Sequence, residues 1–357
     1  MAGSSLPQRR GLLTAPNRSR PVGSSLSGQK YMSGAGLTLE RVVSTRRPIL
    51  VTGAHRSGTT WVGRIIGASP SVGYIQEPFN ILCRPGRCRA RFSYWFYYIC
   101  EENEDRYVRD IEQTLQFRYQ LGDEMRAIRT PRDTARMVRD FWRFQSHRVH
   151  RRRPLLRDPF AFFSAEWLAR KFSFDVVVLI RQPAAFVASI KSLRWDHPFD
   201  HFLKQPLLMR DHLHSFEDEI REFAERKQDV VDQAILLWRL IHSVIIGYRD
   251  RHPEWTFARH RDLSLNPVAE FRRVFGRLNL PYGVREEIDT RHYCMAEARH
   301  DGYVWNEVVR NSAQNMSRWR TVLTEKEVAR VREKCFGIAR HFYSEGEMAE
   351  IGLPSKA

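Results

Sequence analysis

The chain has 357 residues, 42% apolar and 12% aromatic, enough for the core of one catalytic domain with appendages. Its net charge is +17, from 58 basic residues (only eight of them Lys) against 41 acidic ones, a balance that attracts polyanions without choosing among them. No zinc-finger, RRM or basic-zipper pattern accompanies that charge, the five cysteines lack metal-like spacing, and no apolar run approaches the roughly 18 residues of a membrane span.

Residues 1–45 are rich in Ser, Gly, Pro and Arg and lack apolar periodicity, which predicts a flexible basic tail without the apolar h-region of a secretory signal. Together with thiols read as reduced, this gives a cytoplasmic protein as the expectation. The first strand is predicted at about 48–53 and leads through Gly53-Ala54-His55-Arg56-Ser57-Gly58 into a helix at about 58–69, with Trp61, Ile65 and Ile66 on its inner face. A strand, a Gly-bounded loop and a helix start make a P-loop, in which backbone N–H groups cradle a phosphate. The triphosphate version reads G-x-x-x-x-G-K-[ST]. Here the Gly53-to-Gly58 spacing is kept, but Thr59 stands in the Lys position and the basic residue, Arg56, lies inside the loop. The sequence therefore predicts a phosphate site made for another nucleotide.

A second short strand, Val72 to Gln76, ends in Gln76-Glu77-Pro78-Phe79-Asn80. Residues 83–150 are rich in Arg and aromatics and carry helical patterns near 104–121 and 133–149, so they are predicted to form a helical insertion. Within them, Phe92 to Tyr98 form an aromatic cluster that would either line a cleft or pack as a helix. Leu155-Leu156-Arg157-Asp158-Pro159 predicts a third strand, followed by a helix at 164–172. Val176 to Ile180 form a continuous β-branched run, as in a strand buried on both faces. Arg181 closes that strand at its C-terminal end, where open α/β sheets bind ligands. Pro183 starts the next helix, extended by Phe186, Val187, Ile190 and Leu193, with Ser189 upon it. Ala234 to Tyr248 predict a helix packed on the sheet, Trp255 to Ala258 a fifth strand, and 325–342 a last helix, with 346–357 a C-terminal tail. The alternation gives an α/β fold: a P-loop-type doubly wound parallel sheet of about five strands with a helical insertion.

Arg56-Ser57-Gly58-Thr59-Thr60-Trp61 resembles the phosphosulfate loop, K/R-S-G-T-T-W/L, of sulfotransferases that use 3′-phosphoadenosine 5′-phosphosulfate (PAPS). Arg181-Gln182-Pro183 through Ser189 resembles the same family's R-x-P-(x)5-S motif. Arg261-Asp262-Leu263 with Pro267, and Ser317 to Thr324, resemble its later segments more loosely. The resemblance implies a sulfotransferase domain over 46–345 and PAPS as donor. It implies that Thr59, Thr60 and the loop N–H groups hold the 5′-phosphate, that Arg181 and Ser189 bind the 3′-phosphate, and that Arg318, ahead of Arg320, closes over it. Arg56 would neutralise charge as the bond breaks, with no metal.

Glu77 is the candidate base, because glycan-directed and bacterial members carry Glu-Pro here and the His of other members, after the third strand, is absent. Its other reading is a surface ion pair or a carboxylate at a helix start. Asp158 is the reserve, or caps a turn. The acceptor implied is a carbohydrate or glycolipid hydroxyl. Ala185, His55 (Pro in most members) and the lack of the anchor of Golgi members are departures from the family. The rival readings are a P-loop kinase or NTPase and a basic nucleic-acid-binding module. Trp195, His197 and His201 fall on the acceptor side, without the further ligands a metal needs.

Overall fold

In a computed structural model of the chain, described over residues 47–295, 312–313 and 316–353, five strands form one parallel sheet. They are β1 (Ile49–Gly53), β2 (Val72–Gln76), β3 (Arg153–Arg157), β4 (Asp175–Ile180) and β5 (Thr256–Arg259), in the spatial order β2-β3-β1-β4-β5. β1 pairs Leu50 with Leu156 on one side and Val51 with Val177 on the other. Successive strand residues point to opposite faces, and both faces are covered. Ile49, Val51, Val177 and Leu179 pack beneath α1 (Thr59–Gly67) and the 267–277 helix. Leu50, Val176, Val178 and Ile180 pack into the larger core on the opposite face. An uninterrupted apolar run is therefore required in β1 and β4, and polar residues are confined to their ends.

The expected insertion lies between β2 and β3. It contains α2 (Val108–Leu115), α3 (Leu121–Arg126) and α4 (Pro131–Val149). α4 starts at a capping box in which Thr130 and Asp133 bond each other's backbone N–H, with Pro131 in the first turn. It packs at the β2 edge, where Gly73 lies against Phe117 and His147. α5 (Ala165–Phe172) and α6 (Pro183–Leu193) flank β4 in sequence, and the long 230–251 helix packs on α6. That helix is long and apolar enough to cross a membrane, with a mean hydropathy of 1.5, but 67% of its apolar window is buried inside the domain.

Two expectations are corrected. Phe92 to Tyr98 form no helix: the segment is an irregular loop, with Phe92 and Phe96 buried and Phe96 at φ 55. Residues 346–353, expected within the 346–357 tail, are instead structured. Glu345–Glu350 is a helix capped by Ser344, and Met348, Ile351 and Leu353 are buried in the main core. Arg259 and Arg261 hold it through Glu347, at 2.9 and 3.2 Å. The N-terminal tail predicted for 1–45 lies outside the described residues.

Candidate active site

The loop between β1 and α1 turns through left-handed backbone at three positions. Gly53 (φ 131), Arg56 (φ 65) and Gly58 (φ 94) all lie in the left-handed region. A Cβ on Gly53 would stand 2.6 Å from the Leu179 carbonyl oxygen, so only glycine lets the loop leave β1 beside β4. α1 begins after Gly58 with no side-chain cap and no acidic residue in its first turn. Its leading N–H groups and positive dipole end are thus left for a ligand rather than spent on a cap.

Two residues from the end of β4 and from α6 tie this loop in place. Arg181 donates through Nη1 to the Arg56 carbonyl, and Arg56 Nε donates to Ser189 Oγ at 3.1 Å. The Trp238 indole fixes the Arg181 backbone, donating to its carbonyl at 2.8 Å. The motifs that begin at residues 56 and 181, far apart in sequence, thus meet at one point of the sheet.

On the β2 side, Glu77 follows the strand with φ 46 and its N–H on the Arg157 carbonyl (3.0 Å). A non-glycine residue in that region, placed before Pro78, stores strain on the order of 1–3 kcal/mol, of the kind that gathers at functional sites. Its carboxylate takes a bond from Arg157 Nη1 on one oxygen and from Asn80 Nδ2 (2.8 Å) on the other. Arg157 is buried, and its Nε donates to the Tyr74 hydroxyl at 3.0 Å. Asp158 is fully buried, accepting from the N–H groups of Phe79 (2.6 Å) and Phe160 (2.9 Å). Burial and the neighbouring Glu77 carboxylate push it up to about 8. Asp158 therefore ties the loops after β2 and β3 together, the turn-organising alternative read from its sequence.

These parts share one cleft of about 1160 Å³ along the C-terminal edge of the sheet. Its β1–β4 wall carries Thr59, Thr60, Trp61, Arg181, Ser189 and Arg318; its β2–β3 wall carries Glu77, Asn80, Arg157 and Trp95. A sequence profile of the sulfotransferase family matches residues 48–283, well over half of the chain. The chain belongs to the sulfotransferase family.

Among solved structures, this sulfotransferase is similar to a sulfotransferase domain from the curacin biosynthetic pathway, at 13% identity and a TM-score of 0.43, over 82% of this chain and 99% of that one. It is also similar to a sulfotransferase from Alicyclobacillus acidocaldarius, at 15% identity and 0.39, over 86% and 96%. A mouse sulfotransferase complexed with PAP gives 10% identity and 0.39, over 83% and 85%. Among curated proteins no sequence matches.

Of the residues singled out in the sequence, Arg56, Gly58, Thr59, Thr60, Trp61, Glu77, Arg181, Ser189 and Arg318 all reach the cleft of this sulfotransferase. Ser57 instead is buried, with its N–H bonded to the Ala54 carbonyl at 3.1 Å. Arg320 turns to the Glu350 carbonyl (3.0 Å) and the Trp319 ring. His55 sits among Phe96, Phe186 and Trp195, and burial with the Arg56 charge lowers it to about 3, so it stays neutral at the loop. His201 accepts from the Trp95 N–H at 3.2 Å, and His197 is packed against Phe199 and Phe202. The sequence reading missed the arginines of the β2-side wall: Arg64, Arg87, Arg136, Arg139 and Arg143. Their sequence signal is the i, i+3, i+7 spacing of the last three.

Proposed function

We propose that the protein transfers the sulfuryl group of PAPS to a hydroxyl, on a carbohydrate or glycolipid, by in-line displacement. The observation that carries this reading is the single cleft joining an uncapped helix start, the Arg56–Ser189–Arg181 cluster and the strained Glu77. The loop N–H groups with Thr59 and Thr60 suit the 5′-phosphate, and Arg181 with Ser189 suits the 3′-phosphate, with strands β3 and β1 between them and Glu77. Trp61, 5.4 Å from His260, offers an aromatic wall for the adenine.

In the step proposed, the acceptor oxygen forms a bond to sulfur while the bond from sulfur to the 5′-phosphate oxygen breaks. The electron pair leaves on that phosphate, where Arg56 and the backbone N–H groups stabilise it. The acceptor proton passes to Glu77. Arg157 and Asn80 aim that carboxylate, and carboxylate oxygens have further lone pairs for the acceptor hydroxyl. A kinase or NTPase reading lacks support: Thr59 replaces the phosphate-binding Lys, and Asp158, the one acidic residue closing β3, has both oxygens on backbone N–H groups.

The test is a thermal-shift titration with 3′-phosphoadenosine 5′-phosphate against ATP with and without Mg²⁺. A ligand at 100 times its Kd stabilises by about 2.7 kcal/mol, or a few degrees in a domain of this size. A shift with the bisphosphate is expected; a shift with ATP and Mg²⁺ only would overturn the reading.

A further inference from the structure

The cleft is larger than the roughly 300–1000 Å³ that one small ligand fills, and its two ends differ in character. The end beside β4 holds the groups assigned to the donor. The other, beyond Glu77, is walled by Arg64 from α1, Arg87 from the loop after β2, and Arg136, Arg139 and Arg143 from α4. The three on α4 lie on one helical face, and seven residues of helix make a row about 10 Å long.

Among the described residues, carboxylates only partly neutralise these guanidiniums. The Asp140 carboxylate, buried, serves three of them: Arg87 at 2.6 Å, Arg139 at 3.1 Å and Arg143 at 3.5 Å. Arg136 is 3.8 Å from Asp133, which is already held by Arg84 at 2.6 Å. Arg64 lies over the Tyr74 ring. Arg143 is half-buried, and its Nε has no hydrogen-bond partner among the described residues. Burial without enough counter-charge pushes its guanidinium below the usual range. A cluster in which one carboxylate orients three arginines is well ordered and carries excess positive charge, a combination suited to clamping carboxylates or sulfates.

We propose that the acceptor is an anionic oligosaccharide, whose carboxylate or sulfate groups lie along the arginine row while one of its hydroxyls reaches Glu77. This rests on the sulfotransferase reading above, and gives the acceptor end of the cleft its chemistry. The row lies on the opposite side of β1 from Arg181 and Ser189, so donor and acceptor anions do not compete for the same cations.

The experiment uses the full chain loaded with 3′-phosphoadenosine 5′-phosphate and measures calorimetric binding of an oligogalacturonide, of its methyl ester, and of a single-stranded oligonucleotide of similar charge. The ester keeps the ring hydroxyls and loses the charge. The acid should bind at least about tenfold more tightly than the ester at 0.1 M salt, and the preference should collapse near 1 M, where the Debye length is about 3 Å. The double substitution Arg136→Ser with Arg139→Ser removes two exposed members and spares half-buried Arg143. It should weaken the acid about tenfold or more and leave the bisphosphate Kd unchanged. Equal binding of acid and ester, indifference to the double substitution, or tighter binding of the oligonucleotide would each overturn the proposal. Loss of bisphosphate binding in the unsubstituted protein, with the acid still bound, would instead overturn the donor reading and leave the anion row standing.

Discussion

Replacing Arg181 with Ala tests the donor site most directly. Arg181 lines the cleft, its backbone is anchored by Trp238, and its guanidinium already donates to the Arg56 carbonyl, so its position is set before a ligand arrives. A hydrogen bond from a charged group contributes about 1.5–3 kcal/mol, so losing the 3′-phosphate contact should weaken 3′-phosphoadenosine 5′-phosphate by about 10- to 150-fold. The same substitution also releases the loop carbonyl, which would penalise any nucleotide seated on the loop. Titrating AMP, which lacks the 3′-phosphate, separates the two effects, since the shared loop cost appears with both ligands and cancels in the cycle. Calorimetry on wild type and Arg181→Ala with both ligands should therefore show a bisphosphate-specific loss of at least about tenfold. Equal losses for the two ligands would refute the assignment and make Arg181 a loop brace only.

Three further outcomes follow from the same geometry. Glu77→Gln keeps the side-chain shape but cannot take a proton; kcat should fall by about 10²–10⁴ with the bisphosphate Kd unchanged, and a change of less than tenfold would move the base elsewhere. Gly53→Ala forces a Cβ against the Leu179 carbonyl at φ 131 and should cost roughly 1–3 kcal/mol, read as a melting temperature lowered by several degrees; an unchanged melt would show that the β1–β4 exit can relax. His55 is held at about 3 when folded against an ordinary 6.5, so below pH 6.5 the unfolded chain gains a proton the folded one refuses. Stability should then fall with acidification from 6.5, by roughly 2 kcal/mol at pH 5 relative to His55→Leu; parallel pH curves for the two proteins would show that His55 protonates in place.

The β1 and β4 strands were legible because a parallel strand buried on both faces must be apolar throughout, and Ile49 to Val51 and Val176 to Ile180 meet that demand without help from context. The loop was legible for a related reason: Gly53 and Gly58 stand where left-handed backbone is unavoidable. The order β2-β3-β1-β4-β5 was not, since it depends on pairings between segments about a hundred residues apart. The 345–353 segment hid because its helix is short and half acidic. Its sequence signal, Ser344 followed by Glu347 as a capping box, says where a helix starts but not that Arg259 and Arg261 will hold it.

The arginine-lined wall of the cleft shows the same boundary between local and distant information. Spacing alone places Arg136, Arg139 and Arg143 on one face of α4, yet a charged face is most often simply solvated. What turns this face into part of the site is Gly73, whose missing side chain lets Phe117 and His147 lie against β2 and so brings α4 to the cleft's edge. The buried Asp140 then holds Arg87 and two of α4's arginines together. The β1–β4 wall, proposed to hold the donor, is thus written in contiguous motifs, each of which carries its own backbone geometry. The arginine-lined wall, proposed to hold the acceptor, is assembled from residues on α1, an irregular loop and an inserted helix, with no motif of its own. Changing Gly73 should therefore reach the acceptor through α4 while leaving the β1–β4 wall, and with it nucleotide binding, in place.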